Sequence, residues 1–358
     1  MKMQNELIDT PKNVRPEDSL NKHKLSVYLS THLDNFNVQD KLQVQQFPGG
    51  ASNLTYLLKW KNNQVILRTA PRGANIKGAH DMGREFKVLN TLENNFDYSP
   101  QALLYCDDNE IIGRPFYLMQ KVTGIIPRRS FPMPVDSDLA EILCKDLIDV
   151  HVALHEIDIE KTGLSDLGKG EGYIQRQVSG WNTRYKNALV EGSLPATELM
   201  DWLESNQPDD TETCLIHNDY KFDNVVLSAT EPHKIIAVLD WEMTTIGSPL
   251  MDLGCSLAYW IEKNDPPEMQ AIRMMPTQLD GMMTRQQIIE YYAKMRNINT
   301  DDFHYFYVFG LFRLAVIVQQ IYKRYALGKT TNPAFKNFGE LAKILITKAE
   351  TVRNENKI

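Results

Sequence analysis

Long apolar runs are scarce in this chain. The most apolar stretch, Tyr305 to Val318, is interrupted by Arg313 and falls short of the ~20 residues a membrane span needs. It is expected as a buried helix, with no membrane as partner. Cysteine is sparse as well. Cys106, Cys144, Cys214 and Cys255 lie far apart with no C-x-x-C, which leaves no disulfide framework to read and points to free thiols in a reducing, cytoplasmic compartment. Net positive charge is missing: the balance is −7 over 358 residues, which argues against nucleic acid as a partner. The first residues, M-K-M-Q-N-E-L-I-D-T, hold no apolar run of the kind a secretory signal needs. There is no H-E-x-x-H pair for a metallohydrolase, no full G-x-G-x-x-G, and no internal repeat. What remains is 42% hydrophobic and 24% charged, an ordinary globular composition with room for two domains.

The informative stretch is residues 213 to 241, T-C-L-I-H-N-D-Y-K-F-D-N-V-V-L-S-A-T-E-P-H-K-I-I-A-V-L-D-W. Two apolar runs, Val225 to Leu227 and Ile235 to Leu239, flank a breaker cluster containing Pro232, which predicts a β-hairpin. A loop with His217, Asp219, Lys221 and Asn224 enters the first strand, and Asp240 leaves the second. Antiparallel pairing therefore predicts that an amide and two carboxylates gather at one end of the hairpin. Oxygen ligands of this kind suit a hard cation such as Mg²⁺. Phosphoryl transfer needs little more: ligands for the metal that neutralises the polyphosphate, and a carboxylate to orient the attacking hydroxyl and take its proton. Asp219, Asn224 and Asp240 supply that set. Asp and Asn are common in turns, and a lone H-x-D is weak; the spacing Asp-x4-Asn, strand pair, Asp is far more restrictive. His217 is read as a support for the loop rather than a proton carrier.

H-N-D-Y-K-F-D-N-V-V-L followed by V-L-D-W-E resembles the catalytic and metal-binding segments of the aminoglycoside phosphotransferase family, which shares the protein-kinase-like fold. The resemblance implies that Asp219 is the catalytic base, that Asn224 and Asp240 hold the metal, and that ATP and Mg²⁺ are the cofactors. It implies an α+β, bilobal fold: a small antiparallel-sheet lobe with one helix at 36–122 and a mainly helical lobe at 123–358, after an arm and short helix at 1–35. G-x-P-x-x-D-L follows the metal-binding Asp in the family; here it stands as Gly247, Pro249, Asp252 and Leu253, with Asp252 expected to brace the catalytic loop.

The small lobe is legible in pieces. Leu54–Trp60 and Gln64–Thr69 read as strands joined by Lys61-Asn62-Asn63. Before them, F-P-G-G-A-S-N carries Gly49, Gly50, Ser52 and Asn53, where backbone N–H groups can approach nucleotide phosphates. Arg68 stands where kinase-like folds place a Lys. Its fork binds phosphate or carboxylate, and Glu85, on an amphipathic helix, is its expected partner. Leu103–Tyr105 and Pro115–Val122 are further strands. The second ends at Gln120, Lys121 and Val122, a hinge whose backbone would meet the adenine. In the large lobe, Asp138 and Glu141 are spaced like a capping box ahead of a helix running to His155.

V-I-L-R followed by P-x-G, together with F-P-G-G-A-S-N-L-T-Y, resembles the kinase-like domains related to those fused to acyl-CoA dehydrogenases. That branch implies a hydroxylated small molecule as partner, a hydroxyacyl group or its CoA ester. An aminoglycoside or choline-like acceptor is the enzymatic alternative, and a catalytically silent nucleotide-binding module is the alternative of another class. The methionines between Pro266 and Arg285, with Arg176 and Arg184, are expected to offer the acceptor an apolar surface and an anion handle. No A-P-E segment of the protein-kinase type follows Asp240.

Overall fold

The structure is a computed structural model that describes residues 10–48, 53–73, 80–210 and 212–358. The chain forms two compact units. The first takes the chain up to Ile126 together with Val225–Thr244; the second takes Pro127–Asn224 and Thr245–Ile358.

The first unit is built on a five-stranded antiparallel sheet of β1 (Gln43–Gln46), β2 (Leu54–Trp60), β3 (Asn63–Thr69), β4 (Ala102–Cys106) and β5 (Phe116–Gln120), in the order β1-β2-β3-β5-β4. β2 and β3 close through Lys61 and Asn62, with Trp60 opposite Asn63 and Lys61 at φ 47°. Alternation sorts the side chains into two faces. Tyr56, Leu58, Leu67, Phe116 and Leu118 pack with Leu25 and Leu29 of the helix Lys22–His32. Arg68, of the other parity, sits opposite Tyr117 on β5. The helix Met82–Leu92 carries Glu85 and packs on β4 and β5.

Two parts of this unit differ from the sequence reading. Residues 10–20, expected as part of a loose arm, are held to the sheet edge. Lys12 and Gln46 exchange backbone hydrogen bonds at 2.8 Å each, and the Gln46 amide donates to the buried Asp18 carboxylate at 2.8 Å. The hairpin of Val225–Leu227 and Ile235–Val238 was expected with the helical part of the chain and instead belongs to this unit. Leu227 exchanges backbone hydrogen bonds with Ile125 at 2.7 and 2.8 Å, and the Val238 N–H donates to Tyr98 at 2.7 Å. A Cβ on Gly124 would lie 2.3 Å from the Leu227 carbonyl oxygen, so that approach requires glycine.

The second unit is mostly helical, with one short strand pair, Cys214–Ile216 with Thr245–Gly247. Its centre is the helix Phe303–Ala326, which packs against Phe338–Glu355, Pro249–Leu257 and Tyr173–Ala188. It runs for 24 residues. Among the described residues it is the one helix long and apolar enough to cross a membrane, and 72% of its most apolar window is buried inside the protein. Gly254 and Gly310 make the close crossing possible: a Cβ on either would come within 2.3 Å of backbone on the facing helix. The helix Ser137–His155 is capped by Asp136, whose carboxylate accepts from the Leu139 N–H at 2.9 Å. The capping box expected from Asp138 is not formed, because the helix begins earlier and Asp138 lies inside its first turn.

Candidate active site

In the second unit the strand Cys214–Ile216 delivers the chain into a loop whose backbone is pinned from behind. Asp252, in the first turn of Pro249–Leu257, is fully buried. Its Oδ2 accepts the His217 N–H at 2.9 Å and its Oδ1 accepts the Asn218 N–H at 2.7 Å. The same Oδ2 accepts from Nε2 of His151 and of His155, each at 3.1 Å. Against the cost of burial, these two imidazoles hold the Asp252 carboxyl well below the ordinary carboxylate range. Tyr292 donates its hydroxyl to Nδ1 of His155 at 2.6 Å. Burial, with His151 alongside, pushes His155 down to about 3, so it stays neutral at pH 7. The brace expected of Asp252 is therefore seen directly, and its three buried supports carried no signal a single sequence shows.

The loop these groups brace presents Asp219, Lys221, Asp223 and Asn224 together. The Asn224 amide donates to Oδ2 of Asp219 at 2.8 Å and to its carbonyl oxygen at 2.8 Å. Lys221 Nζ lies 2.5 Å from the same carboxylate oxygen, 3.5 Å from Oδ1 of Asp223, and 5.1 Å from the centre of the Tyr259 ring. Burial opposes its charge, but Asp219 and Asp223 outweigh that and raise it above the ordinary lysine range. Burial raises Asp223, with Lys221 pulling the other way. Because Asn224 spends its N–H donors on Asp219, its carbonyl oxygen Oδ1 is the atom left to serve as a cation ligand.

The first unit carries the other charged cluster. Arg68 is buried, with Nε 3.3 Å from Glu85, Nη2 2.8 Å from Oδ1 of Asp240, and Nη2 3.5 Å from Glu242. Burial works against its charge, and Glu85 and Asp240 more than offset it. Glu85 is raised by burial against the pull of Arg68. Asp240 follows the hairpin in a left-handed conformation, φ 68° and ψ 63°, a region non-glycine residues rarely enter. Asn53 is buried and donates its amide to Glu242 at 2.7 Å, and its carbonyl faces His80 Nδ1 at 2.9 Å. Gly49, Gly50 and Ser52 lie outside the described residues. Of the hinge residues, Gln120 commits its N–H to the Gln101 carbonyl at 2.8 Å, which leaves the backbone expectation on Lys121 and Val122. The Lys121 side chain turns to Gln64 at 2.8 Å.

Carboxylate and amide oxygens are the donor types that suit a hard cation. A model of the APH phosphotransferase enzyme family matches residues 43–289. The chain belongs to this family.

Acyl-CoA dehydrogenase family member 11 of Rattus norvegicus is similar to this phosphotransferase-family chain. It is 36% identical over 327 residues, which are 89% of the chain and 41% of that protein. The chain thus spans less than half the length of this curated relative. Among solved structures, a candidate aminoglycoside phosphotransferase from Ralstonia eutropha superposes with a TM-score of 0.78 at 28% identity, over 92% of this chain and 97% of the other. The GDP and kanamycin complex of APH(2")-IIia superposes with a TM-score of 0.63 at 14% identity, over 91% and 98%. At that identity the likeness shows the fold alone, an antiparallel sheet followed by a mainly helical part.

The residues expected to serve the acceptor do not form the surface foreseen for them. Met269, Met275 and Met283 are buried in the core, and only Met274 is strongly exposed. Arg176 folds back on the carbonyls of Gly170 and Glu171, and Arg184 lies over the Trp181 ring at 4.5 Å. Glu242 and Asp223 are the additions. Each lies two residues after a charged residue already singled out, Asp240 or Lys221, and its contact with Arg68 or Lys221 marks it.

Proposed function

We propose that this chain transfers the γ-phosphoryl group of ATP to a hydroxyl of a small molecule, with Mg²⁺ as cofactor. The observation that carries the reading is the Asp219–Asn224 pair on its braced loop, in a chain of a phosphotransferase family. In this reading Asp219 takes the proton of the acceptor hydroxyl as its oxygen bonds to the γ-phosphorus, and ADP leaves. Mg²⁺, when bound, neutralises the phosphate charge; Asn224 and Asp240 are its assigned ligands. Arg68, oriented by Glu85, faces phosphate oxygens or the metal-site carboxylate. Asn53, with Gly49, Gly50 and Ser52, serves the nucleotide, as do Lys121 and Val122 through backbone. Most of the gain comes from positioning and charge neutralisation.

For the acceptor we propose a hydroxylated acyl group, free or as its CoA ester. Kinship with acyl-CoA dehydrogenase family member 11 supports this, while the methionine surface does not. The test is nucleotide binding measured beside Mg²⁺-dependent ATP turnover over a panel of hydroxyacyl compounds, aminoglycosides and choline. Turnover with a hydroxyacyl compound is the expected result. Turnover of an aminoglycoside with hydroxyacyl compounds inert overturns the acceptor, and binding without any turnover marks a silent nucleotide-binding module.

A further inference from the structure

Arg313 is the residue that interrupted the long apolar run, and nothing in the reaction described so far uses it. It sits on the helix Phe303–Ala326, 5% exposed. A buried guanidinium ordinarily sits beside a carboxylate; among the described residues this one forms no ion pair. It lies 5.3 Å from the centre of the Trp181 ring, and its Nη2 donates to the carbonyl oxygen of Asn218 at 2.8 Å. That carbonyl belongs to the peptide that leads into Asp219. The N–H of the same peptide donates to Nδ1 of His217 at 3.3 Å. Both ends of one peptide plane are therefore held, and the plane sets the direction in which the Asp219 side chain leaves the backbone.

Asn218 itself is under constraint. Its φ is 64°, in the left-handed region that favours glycine. Three separate groups fix it there: Asp252 on its N–H at 2.7 Å, Arg313 on its carbonyl, and the Tyr173 hydroxyl on its side-chain oxygen at 3.2 Å. The Tyr173 ring is seated on Gly247, where an added Cβ would lie 2.7 Å from it. Strain that is held from three sides belongs to a conformation the fold needs, and the residue it aims is Asp219.

We propose that Arg313 is a positioning residue of phosphoryl transfer, which with Tyr173 clamps the left-handed Asn218 and so aims Asp219. The inference rests on the reading of Asp219 as the catalytic carboxylate, and its test has one arm that does not depend on turnover. In Arg313→Met, kcat should fall at least thirtyfold while KM for nucleotide and acceptor stays within about threefold, and Arg313→Lys should recover at least a third of the parental rate. Tyr173→Phe, which removes one hydroxyl only, should lower kcat three- to tenfold. Amide exchange read by mass spectrometry should quicken in Arg313→Met for a peptide spanning Ile216–Lys221, with the helix Ser137–His155 unchanged, and Arg313→Lys should restore it. A folded Arg313→Met protein with parental kcat, or with parental exchange in that peptide, overturns the proposal. If the parent chain turns over no acceptor, the reading of function fails and the exchange comparison alone decides the clamp.

Discussion

Asn224 uses one side chain for two purposes. Its amide nitrogen orients Asp219 from 2.8 Å, and in the proposed reading its oxygen is the atom offered to the metal. Asp219→Asn keeps the shape and removes the proposed base. Nucleotide affinity should stay near parental while kcat falls at least hundredfold, a loss of about 2.7 kcal/mol; a rate within tenfold of the parent would remove Asp219 from the role. Arg68 and Glu85 make a similar pair in the other unit. In a double-mutant cycle on nucleotide affinity, Arg68→Ala and Glu85→Ala should lose less together than the sum of their separate losses, because Glu85 lies 3.3 Å from the guanidinium it orients. Strict additivity would show that the two side chains act separately. At this scale the contact between Asp219 and Asn224 was legible, because Asp-x4-Asn is a local pattern. Asp223, Glu242, His151, His155 and Arg313 were not legible as site residues. Glu242, His151, His155 and Arg313 acquire their neighbours through chain segments that local spacing does not relate, and Asp223 through the turn of its own loop.

Elements were legible where their pattern is internal. β2 and β3 follow from alternation and a turn, and Met82–Leu92 from its apolar stripe. Edges were less so. Asp136, not Asp138, caps the helix Ser137–His155, since which of two nearby acids lies outside the first turn depends on where packing starts the helix. The hairpin was correctly drawn, yet its place among the elements was not, because backbone pairing with Ile125 leaves no trace in side-chain pattern. The glycines of the central helix crossing carry an element-scale prediction. Helix propensity alone favours Gly254→Ala. The added Cβ would meet the Phe306 carbonyl oxygen at 2.3 Å, so the variant should instead unfold at lower urea, destabilised by about 1–3 kcal/mol. A gain in stability would show that the two helices can move apart freely.

For the whole molecule, the buried His155 makes stability depend on pH. Its folded value of about 3 lies below the ordinary 6.5, so between those values the unfolded chain binds the extra proton. The contribution is fully present above pH 6.5 and is lost as pH falls toward 3, at about 1.4 kcal/mol per pH unit. Urea midpoints measured at pH 7, 6 and 5 should therefore fall more steeply for the parent than for His155→Gln, whose amide can still donate to Asp252. Equal slopes would show that other groups govern the acid limb.

The order in which the first unit is assembled along the chain has a consequence for synthesis. A ribosome makes the five strands early, but Val225–Thr244, which pairs with Ile125 and supplies Asp240 to Arg68, emerges only after roughly a hundred further residues belonging to the other unit. Until then Ile125 lacks its pairing partner and Arg68 lacks one of its carboxylates, a state in which chaperone binding is favoured. A fragment ending at Ile126 should accordingly be recovered as aggregate or as a loosely packed species without near-ultraviolet dichroism. The same fragment joined by a flexible linker to residues 225–244 should regain a cooperative unfolding transition.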